Sequence, residues 1–271
     1  MRKLALILLI ALCSMRAWAP PPSHPSFPLA FFPLTGNQNH CIPAGIDGLM
    51  AWYVADDLST SLAIGASVTS WPDRSGNGNT LTNLVGAASQ PILSQSNLQF
   101  RAKYTVTFDG GDNLNRTSPI GFAGETGQSI VIVYQHIAGA AGGNFAQLCL
   151  TSNGVNEVRL DSVGNQVECM FAGGPGVSRS SSRFSTNGWM VSRFDNTSNL
   201  NQGFEDYGIP AAQTDQTDAG TFASSIIRLG SRTDGSLAYI GKIAEIIVYN
   251  RRVSDTELNT IFCYLVGRYG F

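Results

Sequence analysis

The sequence predicts an all-β fold: a two-sheet antiparallel jelly-roll sandwich with one α-helix packed on it at the C-terminus. Three observations carry this. β-Branched and aromatic runs recur between clusters of Gly, Asn, Asp and Ser, with no strand–helix alternation. One late run, 240–249, is apolar on both faces, so it needs cover on both sides of its sheet. The segment after that run has a capping signal and apolar residues at helical spacing. Composition agrees. The chain has 271 residues, 29 of them Gly, and only 13% Asp, Glu, Lys and Arg, about half the usual charged share. Its formal net charge is −2, and Lys3, Lys103 and Lys242 are its only lysines. The lack of a basic stripe excludes a nucleic-acid binder. The low charge and high Gly content exclude a coiled coil, a helical bundle and a disordered polyampholyte.

From the N-terminus, residues 1–19 have the layout of a secretory signal peptide. Arg2 and Lys3 start it, Leu4 to Leu12 is unbroken apolar chain, and Ala17-Trp18-Ala19 ends it. The apolar run is too short to span a bilayer, which needs about 20 residues. Pro20 would directly follow the cut. Seven of the 12 prolines fall between 20 and 43, and Phe27, Leu29, Phe31, Phe32 and Leu34 are interleaved with them. The segment 20–43 is therefore predicted to be an extended arm or linker. Its apolar residues are expected to lie on the domain's own surface or to dock on a neighbouring copy.

The domain is predicted to occupy 44–271. Its clearer strands are Leu49–Val54, Tyr104–Phe108, Ser129–Gln135, Val155–Leu160, Gln166–Phe171, Trp189–Phe194, Ile226–Leu229 and Tyr239–Tyr249. The segments 75–79, 109–113, 139–144, 172–188 and 195–203 read as connections. Within the last strand, strict alternation puts Ile243 and Ile247 on one face and Ala244, Ile246 and Val248 on the other. Ser254-Asp255-Thr256-Glu257 is a capping box. Leu258, Ile261, Phe262, Leu265 and Tyr269 then form one apolar helix face, with Cys263 on its flank.

Three stretches carry a family resemblance. They are Leu49 to Asp56 with Trp71 to Asn79, Val106 to Leu114, and Gly241 to Arg251 running into the capping box and Tyr264 to Gly270. Together they resemble the concanavalin A-like lectin/glucanase superfamily, specifically its laminin G-like domains, over about residues 45–271. The resemblance implies the jelly roll and a place in a secreted or surface protein. It does not imply one activity, because function lies in the site.

Hydrolases of that superfamily carry paired carboxylates on one strand, the arrangement glycosidic chemistry needs. Glu125, Glu157, Glu168, Glu205, Glu245 and Glu257 form no such pair, and adjacent Glu205 and Asp206 would face opposite ways on a strand. Glu245 reads as a structural carboxylate. Tyr134 and His136 share a strand face, the sparse beginnings of a lyase site. Asp73 and Asn77 in one loop, and Asp109 and Asp112 in another, are candidate oxygen ligands for Ca2+. Such loops are also ordinary turn chemistry. Trp52, Trp71 and Trp189 are expected in the core, whereas Phe204 and Tyr207 lie in a Gly/Asn-rich stretch and are candidates for a sugar-binding platform. Asn115 and Asn196 begin glycosylation sequons.

Four cysteines remain after residue 19: Cys41, Cys149, Cys169 and Cys263. The strand at 155–160 is expected between those of Cys149 and Cys169. Two strand spacings of about 4.8 Å exceed the roughly 7 Å a disulfide allows between Cα atoms. Cys41, just before the first strand, and Cys263, on the flank of the last helix, sit near opposite chain ends that a domain brings together. A Cys41–Cys263 bridge is the expectation. The functional expectation is a secreted glycan-binding or adhesion module without catalysis, its partner a glycan or surface polymer. The alternative is a structural subunit that self-associates through the Pro-rich arm.

Overall fold

In the structure, a computed structural model, helix α2 (Asp255–Tyr269) lies against one face of a sheet whose other face meets a second sheet. The backbone is described for residues 41–270 except 84–85, 96–99, 117, 119, 122–123, 140–144, 153–155, 162–165, 171–176, 180–186, 196–199, 206–208, 211–213, 216–225 and 232–237. Side chains are described over the same residues apart from 138–187, 194 and 196–225. The signal and arm expectations, residues 1–40, lie outside the described residues.

The strands are β1 (Leu49–Val54), β2 (Ser70–Trp71), β3 (Leu81–Thr82), β4 (Ile92–Gln95), β5 (Tyr104–Asp109), β6 (Leu114–Asn115), β7 (Gly127–Gly139), β8 (Phe145–Ser152) and β9 (Asn156–Asp161). There follow β10 (Gln166–Met170), β11 (Val177–Arg179), β12 (Asn187–Asp195), β13 (Leu200–Glu205), β14 (Ile209–Pro210), β15 (Thr214–Asp215), β16 (Arg228–Leu229) and β17 (Tyr239–Tyr249). A one-turn helix α1 (Ala55–Leu58) follows β1. The first sheet runs β14-β13-β12-β7-β17-β5-β4, with β1 also on β17 and β15 on β13. The second runs β11-β10-β9-β8-β16-β6-β3-β2. The paired strands are antiparallel, so the predicted all-β sandwich with a C-terminal helix is the fold observed.

Between the sheets lie Tyr53, Trp71, Leu93, Phe108, Leu114, Ile132, Leu229, Ile243, Ile246 and Val248. On the helix side lie Trp52, Val54, Val131, Val133, Trp189, Ile247 and Tyr249, packed under Leu258, Ile261, Leu265 and Tyr269. Each fully buried Leu or Ile contributes about 1.5–3 kcal/mol from burial. The helix begins as predicted: the Glu257 amide donates to Ser254 Oγ at 3.3 Å, and the Ser254 amide donates to Glu257 Oε2 at 2.7 Å. Its C-cap is Gly270 in the left-handed region, φ 81°.

Three expectations need correction. β17 does not alternate strictly. Ile243 and Ile246 both face the second sheet, and Ala244 and Ile247 both face the helix. The cause is a one-residue slip against β7 between Ile243 and Glu245, a β-bulge that no periodicity announces. The segment 195–203 is not all connection: β13 starts at Leu200, because its backbone groups find partners along β12 despite a poor strand composition. Likewise β11 lies inside 172–188 and pairs with β10.

The Cys41–Cys263 bridge is present, with Cα atoms 5.7 Å apart. Cys149 and Cys169 both pair with Val158, so their strands flank β9 as expected, two spacings apart.

Candidate functional site

The bulge in β17 sits where that strand changes partner. On one edge β5 pairs with residues 240–243 and β1 with 245–249, while β7 runs along the other. Alternation from Ile243 would send the next residue but one into the inter-sheet core. The bulge instead turns the Glu245 carboxylate toward the helix. Trp52 Nε1 donates to its Oε1 at 2.6 Å, Tyr269 Oη donates to its Oε2 at 2.5 Å, and Arg268 Nε lies 3.2 Å from Oε2. Glu245 is 1% exposed. Burial pushes its carboxyl above the ordinary range, and Arg268 with the Tyr269 and Trp52 donors pulls it back. Burial alone would lower Arg268, but Tyr269 and Glu245 outweigh it and hold the guanidinium up. Glu245 is thus the structural carboxylate the sequence predicted.

Arg268 carries the network outward. Its Nη2 is 2.7 Å from Asp56 Oδ2, which also meets Lys103 Nζ at 3.2 Å, while Asp56 Oδ1 accepts from the Tyr104 amide at 2.8 Å. Outside this network opens a cleft of about 440 Å3, lined by Arg101, Lys103, Tyr264, Arg268 and the disulfide. Sequence reasoning passed over these cations. Lys103 was visible as one of three lysines, but the convergence of 101–103 with 264–268 is a tertiary fact.

The candidate calcium ligands are placed differently. Asp73 Oδ1 accepts from the amides of Trp52 (3.0 Å) and Ser75 (2.9 Å), and its Oδ2 accepts from Ser75 Oγ and the Asn79 amide, both at 2.8 Å. Asn77 turns its amide nitrogen inward to the carbonyls of Leu49 (2.7 Å) and Met50 (3.1 Å). In the other loop the Asp109 amide donates to Asp112 Oδ2 at 2.8 Å, and Asp109 Oδ1 accepts from the Gly111 amide at 2.9 Å. Burial, with Asp109 nearby, raises Asp112 to about 6. A calcium ion needs six to eight oxygens; both oxygens of Asp73, Oδ1 of Asp109 and Oδ2 of Asp112 already accept from protein donors. Among the described residues no group of three or more His, Cys, Asp or Glu side chains converges as a metal site.

Phe204 lies in β13, its backbone opposite Val191 and Pro210. Tyr207 lies outside the described residues, as does the sequon residue Asn196. Asn115, in the other sequon, is 8% exposed in β6. Tyr134 and His136 are buried, and His136 lies 6.0 Å from the ring of Tyr239. Trp52, Trp71 and Trp189 are core residues.

The fold and this site define a two-sheet β-sandwich domain. No family model matches the chain. No curated protein matches it in sequence. Solved structures do match in fold. Domain 4 of AbnA, a GH43 extracellular arabinanase from Geobacillus stearothermophilus, in complex with arabinotriose, is 13% identical, with a TM-score of 0.54 over 79% of this chain and 97% of that one. Trypanosoma rangeli sialidase in complex with the inhibitor DANA is 14% identical, with a TM-score of 0.52 over 83% of this chain and 36% of that one. This chain therefore spans about a third of the sialidase.

Proposed function

We propose that the protein is an extracellular carbohydrate-binding module, a jelly roll of the concanavalin A-like, laminin G-like kind, which holds a glycan or surface polymer without cleaving it. The observation that carries this is the match over 97% of a domain, domain 4 of an arabinanase, in complex with arabinotriose. Two further features support it. The disulfide suits an oxidising, extracellular compartment. Glu245, the acid set in the central strand, is consumed by structural bonds. Phe204 and Tyr207 are the proposed aromatic platform.

The test is a glycan array with the full chain, with calcium and with chelator, followed by titration of any glycan bound. Binding is expected, and is weakened about tenfold by Tyr207→Ala, the loss of one stacking contact of about 1.4 kcal/mol; loss of binding in chelator would assign a role to calcium at Asp73, Asn77, Asp109 and Asp112. A structural subunit is the second reading, favoured by the apolar residues among the prolines of 20–43. It predicts no glycan binding, and self-association that disappears when 20–40 are deleted.

A further inference from the structure

The cleft beside the disulfide has cationic walls. Arg101, Lys103 and Arg268 line it, and among the described residues none that lines it is acidic. The two acids of the network, Asp56 and Glu245, stand behind the cations rather than in the cleft.

The cations are also held in place. Arg101 and Ala102 both occupy the left-handed region, φ 49° and 56°, a conformation costing about 1 kcal/mol or more at each non-glycine residue. That turn sets Arg101 Nη1 2.9 Å from the Gly267 carbonyl oxygen and lays the guanidinium over Gly270, where a Cβ would collide with Arg101 Nε. Capping of the helix C-terminus accounts for that one bond. Lys103 and Arg268 are drawn to the same opening by Asp56, whose Oδ2 meets both. Tyr264 adds a half-buried ring, edge-on to Trp52 with centroids 5.8 Å apart. The cleft, about 440 Å3, falls in the range that small ligands occupy.

We propose that this cleft binds the anionic group of an acidic saccharide, a carboxylated or sulfated sugar, with Arg101 and Lys103 as its direct ligands and the Tyr264 ring against the sugar. This rests on the glycan-binding reading and narrows it to acidic glycans. Charge-assisted hydrogen bonds supply the affinity, Arg101 by a planar fork and Lys103 as a point charge. Arg268, fastened to Asp56 and Glu245, positions the wall and contributes field.

The experiment is calorimetric titration of the full chain with an oligogalacturonate, a sulfated oligosaccharide, neutral arabinotriose and sodium sulfate, in about 50 and about 300 mM NaCl. The variants are Arg101→Gln and Lys103→Gln. The control is Arg74→Gln, whose guanidinium sits over Trp52 outside the cleft. Circular dichroism establishes that each variant is folded, and Lys103→Gln keeps the test decisive if loss of the Arg101 cap unfolds the helix. An acidic oligosaccharide is expected to bind at least about tenfold more tightly than arabinotriose, to weaken with salt, and to lose about tenfold with either cleft variant and nothing with the control. Whichever acidic sugar binds more tightly identifies the anionic group as carboxylate or sulfate. Equal binding of neutral and acidic sugars, or acidic binding that survives both substitutions, overturns the proposal while leaving glycan binding intact. Sulfate binding that both variants abolish, with no saccharide bound, overturns the saccharide assignment and the glycan reading together but keeps an anion cleft. No binding of any probe overturns both.

Discussion

The two faces of the sheet that carries β17 are held in different ways. On the inner face Ile243, Ile246 and Val248 meet Tyr53, Trp71 and Phe108 in an apolar layer between the sheets. On the helix face, Ala244, Ile247 and Tyr249 pack against Leu258, Ile261 and Leu265, but two buried charges lie there as well. Glu245 joins Trp52, Tyr269 and Arg268. Arg193, 1% exposed, donates to the Val253 carbonyl at 2.9 Å and meets Asp255 at 2.8 Å. The disulfide belongs to the same side, pinning Cys263 of α2 to the chain before β1. Many strands meet between two sheets, so side-chain packing alone defines how they sit. A single helix on a sheet has few contacts to set its rotation and position, and directional bonds supply the rest.

Breaking the fastenings should therefore hurt the helix side out of proportion to area. Cys41→Ser with Cys263→Ser has the largest expected effect. The bridge spans 222 residues, and the chain-entropy relation gives about 5 kcal/mol for so long a loop. Denaturant unfolding of the double variant, and of wild type with reductant, should show the same loss.

Glu245→Ala comes next. It leaves Arg268 and the Trp52 and Tyr269 donors without their buried acceptor, for an expected loss of about 3–5 kcal/mol. Ile246→Val, one residue away on the inner face, should cost about 0.5–1.5 kcal/mol. Equal losses in thermal unfolding would erase the distinction between the two faces. Leu265→Ala probes the packing part of the helix side alone, about 2–5 kcal/mol for a side chain with no exposed surface. A loss below about 1 kcal/mol would mean that the bonds, not the packing, hold the helix.

The smallest effect has the opposite sign and lies away from the helix. Asp112 is raised from its ordinary 3.8 to about 6, first by burial. A raised carboxyl favours the protonated folded state, so its contribution is complete below about pH 4 and is lost as pH rises through about 6. Asp112→Asn, which keeps an acceptor for the Asp109 amide, should raise the melting temperature above about pH 7. The gain, discounted for solvent screening to below about 1 kcal/mol, should vanish near pH 4. Unfolding curves across that range check it.

Much of this architecture was legible in the residues because it is written locally. The capping box at Ser254 and Glu257, the helix face at Leu258, Ile261 and Leu265, and the span of β17 all follow from spacing along a few turns or rungs. The cysteine pairing followed from chain ends and strand spacing. The candidate calcium loops were legible only as composition. Whether Asp73 accepts from a cation or from the Trp52 amide depends on a residue 21 positions away.

By itself, then, the sequence determined the fold class, the two-sided burial of β17, the helix with its start, and the Cys41–Cys263 bridge. Periodicity, caps and even cysteine counts are properties of neighbouring residues or of the whole chain. The tertiary structure decided the bulge at Ala244 and Glu245, the change of partner from β5 to β1, the two-residue strands, and the meeting of Arg101, Lys103 and Arg268. Each of these arises where segments far apart in the chain compete for the same backbone edge or the same charge, and nothing local to any one segment encodes the outcome.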